Sequence, residues 1–261
     1  MKRDAFSLVE LSIVLVILGL LTGGILAGQS LIRAAEMRSV STEAARYITA
    51  AHTFRDKYFG IPGDFRDATR FWGRMNSNAD CVTNSSAGVN SAGACDGNGN
   101  GMLNSSAAAS QAGEYTGFWR HLALAGLVEG SYTGLAGSGG QYHCALGTDC
   151  PRSRLSNAGW YAANATNYAG SAQIYAMDYG NYLLFGGQQA TAAPTGLVLE
   201  PEELWNIDTK MDDGRPGYGK IIAYNWNGCA TGGASSSDLA NSNYNLSNAS
   251  VQCAFYYRQI Y

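Results

Sequence analysis

Glu10 is a lone carboxylate inside an apolar run, Phe6-Ser7-Leu8-Val9-Glu10-Leu11-Ser12-Ile13-Val14-Leu15-Val16-Ile17-Leu18-Gly19-Leu20-Leu21. A carboxylate at a helix centre in lipid costs about 2.5–3.5 kcal/mol on insertion scales, so Glu10 either sits near an interface or has a partner. Two further sets of side chains carry oxygen ligands. Asp96-Gly97-Asn98-Gly99-Asn100-Gly101 reads as the first half of a calcium loop, with Asp96, Asn98 and Asn100 at alternate positions and Gly at the sixth. Ala107 stands where the bidentate Glu belongs, which leaves Asn104 or Glu114 to complete the shell. Asp208, Asp212 and Asp213 form a second cluster at the end of an expected helix, where carboxylates oppose the dipole unless a cation or a turn uses them. Ca2+ is the cofactor that either set would take. A plain Gly-rich turn and solvated helix-end carboxylates are the alternatives.

The six cysteines, Cys81, Cys95, Cys144, Cys150, Cys229 and Cys253, contain no C-x-x-C pair of the kind that holds zinc or a redox disulfide. An even count without metal spacing favours disulfides. About fifteen pairings are open; joining nearest neighbours along the chain closes three small loops and staples Gly/Ser/Asn-rich stretches. His52, His121 and His143 have no Ser, Asp or second His at a catalytic spacing and read as surface or packing residues. Asp64 with Asp67 or Asp80 is a carboxylate pair of unknown separation. There is no Walker loop, Rossmann glycine pattern or H-E-x-x-H. The chain therefore reads as a non-enzyme.

The elements that must position these residues follow from composition and period. The chain has 261 residues, 17 Lys+Arg against 20 Asp+Glu and a net charge of −3, so no strong basic field indicates a nucleic-acid partner. The apolar run is long enough to cross a bilayer, and Lys2 and Arg3 on its short leading side predict a cytoplasmic N-terminus with everything after the span exported. Beyond Arg33, the residues Val40, Ala44, Tyr47, Ala51, Phe54 and Tyr58 make one helical stripe, with Glu36, Arg38, Glu43, Arg46, Arg55 and Asp56 on other faces. The pattern stops at Gly60, with Pro62 just after it. The remainder predicts a short helix through Ala68, Phe71 and Trp72, a helix over 114–126, strands over 173–177, 181–185 and 196–199, and a helix over 201–214. Strands over 220–225 and 251–257 follow, the last with Val251, Cys253, Phe255 and Tyr257 alternating onto one face. The expected class is α+β: a long N-terminal helix on a mainly antiparallel, disulfide-stapled head.

Ala5-Phe6-Ser7-Leu8-Val9-Glu10 followed by a continuous apolar helix resembles the leader junction of type IV pilins and type II secretion pseudopilins. The resemblance is specific over the first fifty or so residues and extends to the rest only in general plan. It implies a leader, 1–5, that prepilin peptidase cuts between Ala5 and Phe6; N-methylation of Phe6; an assembly helix, 6–58, embedded in membrane lipid; and a periplasmic head, 59–261. Ala5 stands where the family has Gly, which predicts slower cleavage. Glu10 becomes the fifth residue of the mature chain, where it pairs with a neighbour's N-terminal amine and sets subunit register. The resemblance also implies an anchor in the bacterial inner membrane, an assembly platform there, and a homo-oligomeric or mixed fibre, with fibre or cell-surface location after assembly. Major pseudopilins bind calcium in the head, and Cys229 with Cys253 is similar to the disulfide-closed C-terminal loop of type IV pilins. The expected function is a structural subunit of a pilus or pseudopilus. The alternatives are a minor pilin whose head binds cargo, a surface or DNA, and a simple membrane-anchored periplasmic protein.

Overall fold

Two hydrophobic patterns laid end to end build the first helix. In the computed structural model, which describes residues 8–75, 92–104 and 110–261, helix α1 runs unbroken over Leu8–Tyr58, roughly 76 Å at 1.5 Å per residue. Its first half is apolar and buries nothing: Leu8 is 87 % and Ile32 63 % exposed, and the large apolar side chains between them also stand free of the head. By length and composition it can cross a membrane. In the second half Val40, Ala44, Tyr47, Ala51 and Phe54 are buried, the stripe that their spacing predicts. The helix ends at Tyr58, two residues before Gly60. Phe59 takes the left-handed turn, with φ 54°, and its amide closes on the Arg55 carbonyl at 2.8 Å. Gly60 serves another need, because a Cβ there would lie 2.7 Å from the Phe65 ring.

Helices α2 (Ala68–Trp72) and α3 (Glu114–Leu124) follow, then strands β1 (Ala158–Ala165) and β2 (Gly180–Gly187). These two strands pair antiparallel along their whole length, from Ala158 opposite Gly187 to Ala165 opposite Gly180. The chain continues through α4 (Pro201–Met211), β3 (Ile221–Tyr224), α5 (Trp226–Cys229), β4 (Ala230–Thr231), β5 (Asn243–Tyr244) and β6 (Ala254–Tyr257). The main sheet has the order β1-β2-β6-β3, and β4-β5 is a separate two-stranded ribbon. Every strand pairing is antiparallel. The fold is α+β, with the second half of α1 packed on the head.

Several expected elements are corrected. Strand β6 is hydrogen-bonded on both edges, to β2 and β3, and Ala254, Phe255 and Tyr256 are all buried; the strand begins later than expected, and Val251 stands exposed outside it. Segment 173–177 is not a strand; Met177 makes an isolated bridge to Tyr168. Segment 196–199 contributes bridges, Gly196 to Gly187 and Leu199 to Cys253. The strand that sequence reasoning missed is β1, Ala-Gly-Trp-Tyr-Ala-Ala-Asn-Ala, which lacks the β-branched residues that usually mark a strand. Helix α3 packs on β1, where the Tyr115 and Tyr161 rings lie 6.0 Å apart. Two of the nearest-neighbour disulfides are formed, Cys144–Cys150 and Cys229–Cys253. Cys95 is also disulfide-bonded, while Cys81 lies outside the described residues.

The core centres on Tyr47, whose ring meets Trp119 and Trp160 edge-on at 5.0 and 5.8 Å, a favoured aromatic geometry. Glu43, expected off the apolar stripe, is instead buried one turn below. Its Oε2 accepts Trp160 Nε1 at 2.9 Å and its Oε1 accepts the Arg154 amide at 3.0 Å. A buried indole N–H needs an acceptor, and the helix supplies it. Glu43→Ala leaves the buried Trp160 indole N–H and the part-buried Arg154 amide without their acceptor and is expected to cost about 2–3 kcal/mol, read as a lower unfolding midpoint of the full chain in neutral detergent. Glu43→Gln, which can accept only one of the two bonds, should fall between.

Candidate functional site

Glu10 stands exposed on the first turns of α1, between exposed Val9 and Leu11. Ala5 and Phe6 lie outside the described residues. Arg33 is the first cation after the apolar half, and there the head takes hold of the helix. Its Nε donates to Glu203 Oε1 at 2.5 Å and its Nη2 to Glu203 Oε2 at 2.7 Å, a two-pronged ion pair; Nη2 also reaches the Val198 carbonyl at 3.1 Å. Glu203 accepts the Glu200 amide at 2.9 Å as well, half of a reciprocal cap at the start of α4, where Pro201 occupies the first turn. One carboxylate therefore starts α4 and fastens it to α1. Sequence reasoning did not find this residue, although Glu200-Pro201-Glu202-Glu203 carries a capping signature.

The loop from Asp96 to Gly101 turns its amides, not its side-chain oxygens, inward. Asp64 is 2 % exposed; its Oδ1 accepts the Gly99 and Asn100 amides at 2.5 and 3.2 Å, and its Oδ2 accepts Gly101 at 2.7 Å. Buried Glu114 takes the Asn98 and Asn104 amides, each at 3.1 Å. Burial raises the Asp64 pKa, and the amides of Gly101, Gly99 and Asn100 pull the other way. Gly97 is required by contact, since a Cβ there would lie 2.3 Å from the Asp64 backbone. The three expected calcium ligands face different donors. Asp96 accepts the Thr69 amide and hydroxyl at 2.7 and 2.8 Å; Asn98 and Asn100 each accept the amide two residues on, both at 2.9 Å. The bonds of Asn98 and Asn100 are turn-forming, and each of the three side chains already faces a protein donor. Of the partners expected for Asp64, Asp67 is exposed and Asp80 lies outside the described residues.

His121 holds this loop from beneath. It is fully buried, its Nδ1 accepts the Gly63 amide at 2.9 Å, and its Nε2 lies 3.0 Å from the Cys95 carbonyl. With Nδ1 committed as acceptor, the proton is assigned to Nε2 and goes to Cys95. Burial lowers the pKa to about 4; the Cys95 carbonyl opposes this and the Arg120 charge adds to it.

The second carboxylate cluster does converge. Among the described residues, Asp208, Asp212 and Asp213 form the one group of acidic, His or Cys side chains whose ligand atoms could share a cation, these atoms lying within 4.8 Å of one another. Asp208 is fully buried; its Oδ2 accepts the Tyr244 hydroxyl at 2.7 Å, while its Oδ1 is buried with no hydrogen-bond partner. Burial pushes its carboxyl up to about 7, the Tyr244 hydroxyl and the Gly214 amide oppose this, and the Asp213 and Asp212 charges add to it. Asp212 accepts the Lys220 amide and, at 3.0 Å, the Ile221 amide. The donor set is all oxygen, which suits a hard cation such as Ca2+.

The His121 arrangement predicts an acid limb of stability. The unfolded imidazole titrates near 6.5 and the folded one at about 4, so the unfolded chain binds the extra proton between those values. The His121 contribution to stability is full above pH 6.5 and is lost as pH drops towards 4, by up to about 3 kcal/mol, while the raised Asp208 carboxyl contributes a slope of opposite sign over the same range. Urea unfolding of the parent and of His121→Gln at pH 7 and pH 4.5 isolates the His121 part: the parent should lose more stability, or gain less, on acidification than the variant does.

A family model described as the prokaryotic N-terminal methylation motif matches residues 1–26. No curated protein and no solved structure matches the chain. The match covers Ala5, Phe6 and Glu10 and the beginning of the exposed half of α1, and together the motif and the apolar helix fit a membrane-anchored protein. At its N-terminus this chain carries the methylation segment that is the hallmark of type IV pilins and pseudopilins.

Proposed function

We propose that this chain is a structural subunit of a type IV pilus or type II secretion pseudopilus, anchored in the inner membrane with its head in the periplasm until it polymerises through α1. The observation that carries the reading is a helix whose apolar first half finds no partner in its own head, continuous with the methylation motif over residues 1–26. Such a surface must be covered by lipid or by other helices. In this reading prepilin peptidase cuts between Ala5 and Phe6, and the new amine is methylated. Each mature subunit then carries a cation at Phe6 and an anion at Glu10, one helical turn apart. Both charges are costly in an apolar bundle unless a neighbour displaced along the fibre pairs amine with carboxylate. The partners are further subunits, the peptidase, and a membrane platform that extracts the helix from lipid.

The mature mass and N-terminal sequence test this. N-methyl-Phe6 as the first residue is expected, whereas a retained Met1 or a start near Gly28 would overturn the reading. Ala5→Gly should speed cleavage. Glu10→Ala should insert normally yet assemble poorly, since breaking a buried pair costs about 3–5 kcal/mol per contact, or better than a hundredfold in affinity. Normal fibre yield from that variant would remove the register role.

A cation at Asp208, Asp212 and Asp213 is a second element of the proposal, favoured by the orphaned Asp208 Oδ1. When bound, Ca2+ would neutralise carboxylates and supply the missing partner. Asp212 also holds the amides that open β3, so the ion would clamp the connection from α4 to the sheet. At a hundredfold excess over Kd, calcium should stabilise the chain by about 2.7 kcal/mol, raising its melting point by about 5–10 °C over an EGTA control. Asp212→Asn with Asp213→Asn should abolish that shift. An unchanged midpoint in the parent chain would dismiss the ion.

A further inference from the structure

The flank of α1 just beyond the apolar half faces a cavity of about 410 Å3, within the range of small-molecule sites. Arg38 and Arg46 line it from the helix, and Arg152 and Arg154 from the segment leading into β1. The carboxylates on its wall are Glu43 and Glu129. Four cations against two carboxylates leave a local excess of two positive charges, in a chain whose net charge is −3. Glu43 is spent on other donors, Oε2 on Trp160 and Oε1 on the Arg154 amide. The hydroxyls of Ser39 and Thr42 on the same wall donate to the Glu36 and Arg38 carbonyls, so the donors left facing the cavity are guanidinium N–H groups.

Those guanidiniums are oriented but not consumed. Arg46 lies 5.0 Å over the Tyr47 ring and gives Nη2 to the Tyr47 hydroxyl at 3.2 Å. Arg152 gives Nη2 to the Leu146 carbonyl at 3.1 Å. Among the described residues, the Arg38 and Arg154 guanidiniums have neither a hydrogen-bond nor an ion-pair partner. Like charges gathered round one hollow repel one another unless an anion sits between them. A planar five-donor fork matches oxyanions with two or more oxygens to offer, and four forks suit a phosphate group better than a single carboxylate.

We infer that this cavity is a phosphate-binding site, with Arg38, Arg46, Arg152 and Arg154 as its donors. Two sources share that chemistry: a free phosphate or diphosphate, and the headgroup of an anionic phospholipid. Arg38 lies six residues above Ile32, the last large apolar side chain of the exposed half, or about 9 Å along the helix. This is close to the depth of a headgroup layer, roughly 5–7 Å beyond the hydrocarbon. The lower rim therefore comes within reach of lipid phosphates when the apolar half is in a bilayer.

The test uses the full chain in neutral detergent, with pyrophosphate as the probe and ionic strength held constant by chloride. Calorimetry should show saturable binding that Arg38→Gln with Arg154→Gln weakens at least tenfold. Both residues are exposed, so an unchanged melting point is expected of the variant. Glu129→Gln, which removes a carboxylate from the wall, should tighten binding several-fold, an opposite change that misfolding would not produce. In parallel, native mass spectrometry counts phosphatidylglycerol retained by parent and double variant after mixed-lipid exposure. Pyrophosphate binding without retained lipid assigns the site to free phosphate, and retained lipid lost in the double variant assigns it to headgroups. If the parent binds neither probe better than the double variant does, the site is refuted.

Discussion

One continuous helix has to satisfy two solvents, and the junction between them is the ion pair of Arg33 with Glu203. Below it, α1 offers apolar side chains to whatever surrounds the protein; above it, the same helix is the central rib of the head. No flexible linker separates the two halves, so any force on the apolar half passes directly into the stripe from Val40 to Phe54. The two-pronged geometry matters because Glu203 also caps α4. Releasing Arg33 would loosen a helix end as well as an ion pair, which makes the junction stiffer than an exposed pair of the same charges.

Above that junction the head fastens its loops to the core with buried carboxylates. Gly- and Asn-rich loops have few apolar side chains to bury, and their many amides need acceptors. Asp64 collects three amides, Glu114 two, and Glu43 joins an indole to a loop amide. His121 adds one acceptor and one donor beneath. Each group gathers segments distant in sequence, as the two described disulfides do for shorter loops. These bonds compensate for desolvation only while complete, so the head is more sensitive to loss of one carboxylate than its exposed loops suggest.

What was legible in the sequence followed from period. The stripe on α1, the apolar half, helices α2, α3 and α4, and strands β2 and β3 all carry patterns that only one element type satisfies. Strand β1 was hidden because its eight residues hold four alanines and a glycine and no Val, Ile or Thr; its strand character comes from pairing with β2 along its whole length, and propensity is what a local reading sees. Strand β6 is expected from 251 but begins at Ala254, because where pairing with β2 and β3 starts is a tertiary fact. Glu43 was misplaced by charge alone. Its position, three residues after Val40 and four before Tyr47, puts it on the buried stripe, and only the demand of Trp160 for an acceptor explains a carboxylate there.

The two acidic loops show why a ligand motif is decided by hydrogen bonds rather than by composition. Asp96-Gly97-Asn98-Gly99-Asn100-Gly101 has the better calcium pattern, yet each of its oxygens already faces a protein donor and its amides enclose the carboxylate of Asp64. Asp208-Thr209-Lys210-Met211-Asp212-Asp213 has the poorer pattern, yet it holds a buried oxygen with nothing to accept. A cation is attracted by unsatisfied lone pairs, and a carboxylate saturated by amides has few to give. The same accounting, applied with the sign reversed, points to the cavity of Arg38 and Arg154, where donors rather than acceptors are left over. Both leftover sets flank the second half of the chain's helical framework, one at the end of α4 and one along α1, the two helices that Arg33 and Glu203 tie together.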